Sequence, residues 1–286
     1  MTDKTIRIQT IEPDKKKQKA SQIECEEITY LLDSCSDVGT SRKTNQDACC
    51  VRILKTLLHT IVLAVVCDGV GGMEEGEYAS KSTVQAFNNW FDYRLSDLIF
   101  EKEQTDLLRL LGEDIEQLID KQHRAVLAYS RKKGIQSGTT LTAMLFTDQE
   151  YLIAQIGDSR AYCVKDGLFQ LTEDQSLVAK EVREGKLTEE EARFDNRRNI
   201  ILQCLGATDN LVPVYQSGII QKDASYFLCS DGFVHTLSKK ELEAAMNPGD
   251  MDDGDKMHRR LLENIETVKK RGERDNITVV WVRTML

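Results

Sequence analysis

Apolar residues in this chain are parcelled into short, β-branched-rich runs that come in groups, and stretches of helical periodicity separate the groups. Runs over 28–38, 48–54 and 58–67, bounded by Gly, Asp and Asn, read as strands. Residues 74–93 and 102–133 read as helices. The second places Leu107, Leu111, Ile115 and Leu118 at steps of three and four, which is one helix face and a core contact. Strand patterns resume at 139–146, 151–156, 161–164 and 168–171, with Lys165-Asp166-Gly167 as a hairpin turn. Residues 176–200 are charged and helical or irregular. Strands over 212–220 and 226–229 follow, then helices over 238–246 and 256–271 split by Asn247-Pro248-Gly249, then a strand over 276–282. Strands, helices and strands again in blocks predict an α+β fold, with antiparallel sheets covered by helices.

The 286 residues suffice for a large core without staples. Residues 1–27 are polar, with Lys15, Lys16, Lys17 and Lys19 followed by Glu24, Glu26 and Glu27. They are expected to form a charged N-terminal extension, a solvated tail or a regulatory arm, ahead of one domain over 28–286. The net charge of −9 argues against general binding to nucleic acid or an anionic membrane, though not against a local anion site. The longest apolar run, Ile61 to Cys67, is far short of the about 20 residues that cross a bilayer. The N-terminus has no signal-peptide core, so a cytoplasmic protein is expected. Eight cysteines include no Cys-x-x-Cys pair and several lie in strand patterns, which predicts reduced thiols packed as small hydrophobes.

Four aspartates stand at ends of strand-like runs: Asp68 in Cys67-Asp68-Gly69, Asp158 in Gly157-Asp158-Ser159, Asp231 in Ser230-Asp231-Gly232, and Asp275 in Asp275-Asn276. Each taken alone is a turn residue. If they converge, two carboxylates about 5 Å apart repel by about 3 kcal/mol at an effective dielectric of about 20. Such a group stays ionised only with a cation, and oxygen donors without a His or Cys cluster suit Mg2+ or Mn2+. Arg42, in the polar stretch 39–47, is suited to bidentate phosphate contact beside such ions.

The ordered motifs resemble the metal-dependent protein serine/threonine phosphatases of the type 2C (PPM) family, especially its bacterial members. They are Arg42-x-x-Asn45-Gln46-Asp47, Asp68-Gly69-x-Gly71-Gly72, Ser137-Gly138-Thr139-Thr140, Gly157-Asp158-Ser159-Arg160, Leu171-Thr172-x-Asp174, Ser230-Asp231-Gly232 and Asp275-Asn276-Ile277-Thr278. The resemblance implies an α-β-β-α sandwich, with a variable flap over about 176–206 beside the active site. It implies that Asp68 bridges two Mn2+ or Mg2+ ions, that the Gly69 carbonyl ligates one, and that Asp231 and Asp275 complete the other. Asp47 is implied to act through metal-bound water, Asp158 to help hold a third, weaker ion, and Arg42 to bind the substrate phosphate. The implied reaction is hydrolysis of phosphoserine and phosphothreonine in proteins by a water bridging two cations, without a covalent intermediate, reversing a cognate Ser/Thr kinase. Nothing in the sequence suggests an obligate interface, so a monomer is expected.

Three positions depart from the family pattern. Val70 stands where many animal members carry a His thought to protonate the leaving alcohol, Gln175 where many relatives have His, and Gln46 where some have Glu. His59, His123, His235 and His258 match no metal-ligand spacing and are read as structural or surface. Two rivals stand beside the enzyme reading. A non-catalytic pseudophosphatase that binds phosphoproteins is disfavoured because Arg42, Asp68, Asp231 and Asp275 are intact. A response-type phosphatase acting on a dedicated partner is disfavoured for want of room for a sensor domain.

Overall fold

The structure is a computed structural model and describes residues 28–70, 73, 75–100, 106–249 and 251–285. The expected extension over 1–27, and Gly71 and Gly72 of the second motif, lie outside the described residues. Three strands open the domain: β1 (Thr29–Asp37), β2 (Ala48–Lys55) and β3 (Thr60–Cys67). Helix α1 (Gly76–Asn89) runs into a π-helical turn (Trp90–Arg94) and α2 (Leu95–Phe100), and α3 (Leu107–Lys133) follows. Next come β4 (Leu141–Phe146), β5 (Glu150–Ile156), β6 (Arg160–Val164) and β7 (Leu168–Gln170), then the short helices α4 (Leu177–Arg183) and α5 (Glu189–Phe194). The chain ends with β8 (Val214–Ile219), β9 (Ser225–Cys229), α6 (Asp231–Val234), α7 (Lys239–Ala245), α8 (Gly254–Lys270) and β10 (Ile277–Met285).

The strands form two five-stranded antiparallel sheets, ordered β1-β10-β9-β6-β7 and β2-β3-β4-β5-β8. Period-two alternation shows why β3 is apolar throughout. Its Val62, Ala64 and Val66 face the layer between the sheets, whereas Ile61, Leu63, Val65 and Cys67 face α1 and α3. Strand β10 does the same on the other sheet: Val280 and Val282 point inward, and Ile277, Val279 and Trp281 pack under α8. A strand buried on both faces cannot show an amphipathic pattern. The rings of Phe146 and Tyr226 meet edge-on across the inner layer at 5.2 Å. The architecture is therefore the α-β-β-α sandwich that the family resemblance implied, within the α+β class expected from the pattern.

One helix runs further than its pattern indicated. The periodicity breaks at Asp92-Tyr93-Arg94, yet the backbone continues through the π-helical turn, which keeps Trp90, Phe91, Leu95 and Leu98 in the same core. Asp114 of α3 fastens the turn, accepting from Trp90 Nε1 at 2.8 Å and from Arg94. Trp281, fully buried with Nε1 donating to Ser225 Oγ at 3.0 Å, is the largest side chain under α8. Replacing Trp281 by Ala is expected to lower the unfolding free energy by about 3–5 kcal/mol, read from urea denaturation.

Candidate active site

Strand register brings the chemistry-bearing residues to one end of the sandwich. In the first sheet Asp37 pairs with Ile277, Val279 with Cys229, and Cys229 with Arg160. The loops carrying Asp275, Asp231 and Asp158 therefore leave together. In the second sheet Ala48 pairs with Cys67 and Leu141 with Ile156, which places Asp47 and Asp68 at a common edge. Ser230 Oγ donates to Asp47 Oδ2 at 2.9 Å, so the two edges coincide.

Backbone locks hold each acidic residue. Thr140 Oγ1 accepts from the Asp68 amide at 2.9 Å, and the Asp68 carbonyl accepts from Thr139 Oγ1 and the Thr140 amide, each at 2.8 Å. Gly69 has no room for a side chain, because a Cβ there would stand 2.6 Å from the carbonyl oxygens of Gln46 and Gly76. Asn276 accepts from the Gln46 amide at 2.9 Å and donates to the carbonyls of Val38 and Thr44, which fixes the loop around Arg42. Gly232 packs so tightly on the Asn276 carbonyl that a Cβ would lie 2.1 Å from it. The two threonines of Ser137-Gly138-Thr139-Thr140 are the clamp on Asp68.

The carboxylates sit within one another's field. Burial, then the charges of Asp47, Asp231, Asp158 and Asp275, push Asp68 well above the usual range. Asp47, only 4% exposed, is raised to about 7 by burial against the restraint of its hydroxyl hydrogen bonds. Asp158 is raised to about 7 by burial and by Asp231 and Asp174. Asp231 is raised by burial and by Asp275 and Glu273, with His235 opposing. The Asp275 carboxylate accepts two hydrogen bonds from Arg42, from Nε at 3.0 Å and from a terminal nitrogen at 2.7 Å. The Arg42 guanidinium is held still more firmly in its charged form by Asp275 and, more distantly, by Asp68 and Asp231. Among the described residues, no three acidic, imidazole or thiol side chains are gathered as they stand around a single point. The donor chemistry nevertheless fits hard divalent cations: five crowded carboxylates, no thiol among them, and a glycine carbonyl at a position where nothing larger than hydrogen fits.

Two neighbours of the acidic residues take positions that their motifs did not indicate. His235 lies one turn after Asp231, its Nε2 3.4 Å from Asp231 Oδ2 and its Nδ1 3.6 Å from Glu273 Oε2. Burial would raise the Glu273 carboxyl, but His235 and the amides of Asp275 and Arg274 hold it near 2. The i, i+4 spacing of Asp231 and His235 was the available signal. Gln175, one of the departures, ties the flap to the Asp158 loop. Its Oε1 accepts from the Gly157 amide and from Gln203 Nε2, each at 2.7 Å. Asp174 forms a bidentate pair with Arg160, with contacts down to 2.6 Å, beneath the same loop.

Residues 38–271 match the family model described as protein phosphatase 2C. The serine/threonine phosphatase stp of Listeria innocua is 30% identical over 234 residues, covering 78% of this chain and 85% of that protein. The crystal structure of the Mycobacterium tuberculosis serine/threonine phosphatase PstP/Ppp aligns with a TM-score of 0.71 at 28% identity, over 89% of this chain and 98% of that one. The catalytic domain of PstP in complex with two manganese ions aligns with a TM-score of 0.72 at 27% identity, over 91% and 100%.

A carboxylate whose folded-state pKa is raised makes the folded form bind more protons than the unfolded form, so stability falls as pH rises through the window between the two values. With Asp47 and Asp158 raised from 3.8 to about 7, that window runs from about 4 to 7. In EDTA the melting temperature is expected to drop between pH 5.5 and pH 8, and Mn2+ at pH 8 is expected to restore it. Differential scanning calorimetry checks both.

Proposed function

The chain belongs to the protein phosphatase 2C family, and from that membership we propose that it hydrolyses phosphoserine and phosphothreonine in proteins in a metal-dependent reaction. The observation that carries this reading is the crowd of five carboxylates at one sandwich edge, each of Asp47, Asp68, Asp158 and Asp231 raised by burial together with neighbouring charge. Asp68, the Gly69 carbonyl, Asp231 and Asp275 would hold two divalent ions, Mn2+ or Mg2+, and Asp158 would help with a third. Such ions, when bound, supply the positive charge this crowd lacks and activate water for attack on phosphorus.

The remaining steps fall to the chain's own residues. Arg42 offers a phosphate the same paired N–H groups that it gives Asp275, at an exposed place where a protein substrate can reach it. Asp47, oriented by Ser230, supplies a buried acceptor behind Asp68 and Asp231. Val70 has no proton to give, which leaves water as a candidate donor to the leaving alkoxide. The substrates would be phosphoproteins made by a Ser/Thr kinase, and the enzyme would act as a monomer in the cytoplasm. A purely phosphoprotein-binding role finds no support, because Arg42, Asp68, Asp231 and Asp275 are all present.

Hydrolysis of p-nitrophenyl phosphate with Mn2+ tests the reading. Asp231→Asn is expected to reduce turnover by about a hundredfold or more, the scale of losing one charge-stabilising group. Turnover surviving both EDTA and this substitution would refute it. Arg42→Ala is expected to raise KM for a phosphopeptide about tenfold, the worth of a lost charged hydrogen bond, and to leave Mn2+ affinity nearly unchanged. Lost Mn2+ binding in calorimetry would contradict that role.

A further inference from the structure

Glu75 has a backbone conformation that its residue type disfavours. Its φ of 56° and ψ of 38° lie in the left-handed region, where a Cβ crowds the backbone and Gly, Asn or Asp is usual. It is also the residue from which α1 departs, its carbonyl accepting from the Tyr78 amide at 3.0 Å. Its carboxylate and its carbonyl both bond the segment that ends α3 and leads into β4. Lys133 Nζ reaches Oε1 at 2.8 Å and Oε2 at 3.1 Å, and the Tyr129 hydroxyl donates to Oε2. Ser137 Oγ donates to the Glu75 carbonyl at 2.8 Å. The clamp is itself braced: Tyr129 stacks on Tyr78 of α1 with ring centroids 3.5 Å apart, and the Lys133 ammonium lies 4.8 Å from the Tyr129 ring centre.

What the clamp holds is the approach of two glycines. Gly76, next after Glu75, lies against Gly69 so closely that a Cβ on Gly76 would be 3.1 Å from the Gly69 carbonyl carbon. Val70, next after Gly69, donates its amide to Gly138, the neighbour of Ser137. The Asp68-Gly69 turn is thus pressed between the start of α1 and the segment carrying Thr139, and Glu75 joins these two walls. A glycine at position 75 would adopt the same backbone without strain. A glutamate there is explained by what its carboxylate does.

We propose that Glu75 is a positioning residue, clamped by Tyr129 and Lys133, that holds the start of α1 against Gly69 and so fixes the direction in which the Asp68-Gly69 turn presents its oxygens. The part concerning cation binding rests on the phosphatase reading, and the mechanical part does not.

Four readouts on the full chain test it: amide hydrogen exchange over residues 66–80, Mn2+ affinity by calorimetry, the melting temperature, and kcat and KM with p-nitrophenyl phosphate. Glu75→Gly is expected to speed exchange in that segment and to weaken Mn2+ binding about tenfold, the low end for losing an outer partner of a metal site. Its melting temperature should not fall, because glycine relieves the left-handed strain, and kcat should drop more than KM rises. Lys133→Met should act in the same direction, and the double variant should be no worse than Glu75→Gly alone. Glu75→Gln, which still accepts from Lys133, should lie close to the parent. Parental exchange and parental Mn2+ affinity in Glu75→Gly would overturn the proposal. A melting temperature that falls along with the activity would also overturn it, by assigning Glu75 to general stability. If the parent protein itself neither binds Mn2+ nor turns over, the phosphatase reading falls, and the exchange measurement alone decides the clamp.

Discussion

Like charges gathered in a low-dielectric edge push their carriers apart, and here the backbone resists that push. Asp47, Asp68, Asp158 and Asp231 are each raised by burial and then by neighbouring carboxylates. This load falls on loops and, at Asp231, on the first residue of a short helix, and loops are ordinarily the most yielding parts of a fold. Here each loop is fastened to another loop of the site. The Asp68 peptide is held from both sides by Thr139 and Thr140, Asn276 bonds three stretches of the Arg42 loop, and Ser230 crosses from one sheet to Asp47 in the other. The two-sheet sandwich matters to the chemistry because it gives these cross-links rigid anchors at a common edge.

The fold was legible because alternation and grouping are local signals. Each apolar run became a strand within a few residues of its expected limits, and the continuous apolarity of 61–67 is explained by burial of β3 on both faces. The π-helical turn was not legible, since Asp92 and Arg94 are charged and look like the end of a helix. Their polar groups are satisfied by Arg52 and Asp114, from elements far away in sequence. The candidate site was legible in its acidic residues but not in its supports. Thr139 and Thr140 hold Asp68 through groups 71 and 72 residues away. His235, read as structural, pairs with two carboxylates that metal-ligand spacing does not reveal.

The departures from the family pattern also make physical sense. An imidazole offers a single acceptor nitrogen when neutral. The amide oxygen of Gln175 accepts from Gly157 and Gln203 together, which a His there could not do in one orientation. Gln46 acts mainly through its backbone, whose carbonyl takes the Gly69 amide at 3.1 Å and the Ser80 hydroxyl. A side chain without charge at that position adds nothing to an already crowded negative field.

These supports also relate residues 176–206, the segment expected to form a flap, to the acidic edge. The chain leaves the Asp158 loop through β6 and β7, returns at Asp174 and Gln175, and then makes α4 and α5. It comes back at Leu202, whose amide donates to the Gln175 carbonyl at 2.7 Å, and at Leu205, which pairs with Thr139. Both ends of the flap are therefore bonded to residues that hold an acidic turn: Gln175 to Gly157 beside Asp158, and Leu205 to Thr139 beneath Asp68. Between those ends, Phe194, Ile200 and Leu202 are exposed apolar residues on an otherwise charged segment. A force on the surface of this segment has two short hydrogen-bonded routes into the site. Sequence change in the flap can therefore alter how the acidic turns are held without touching a single aspartate.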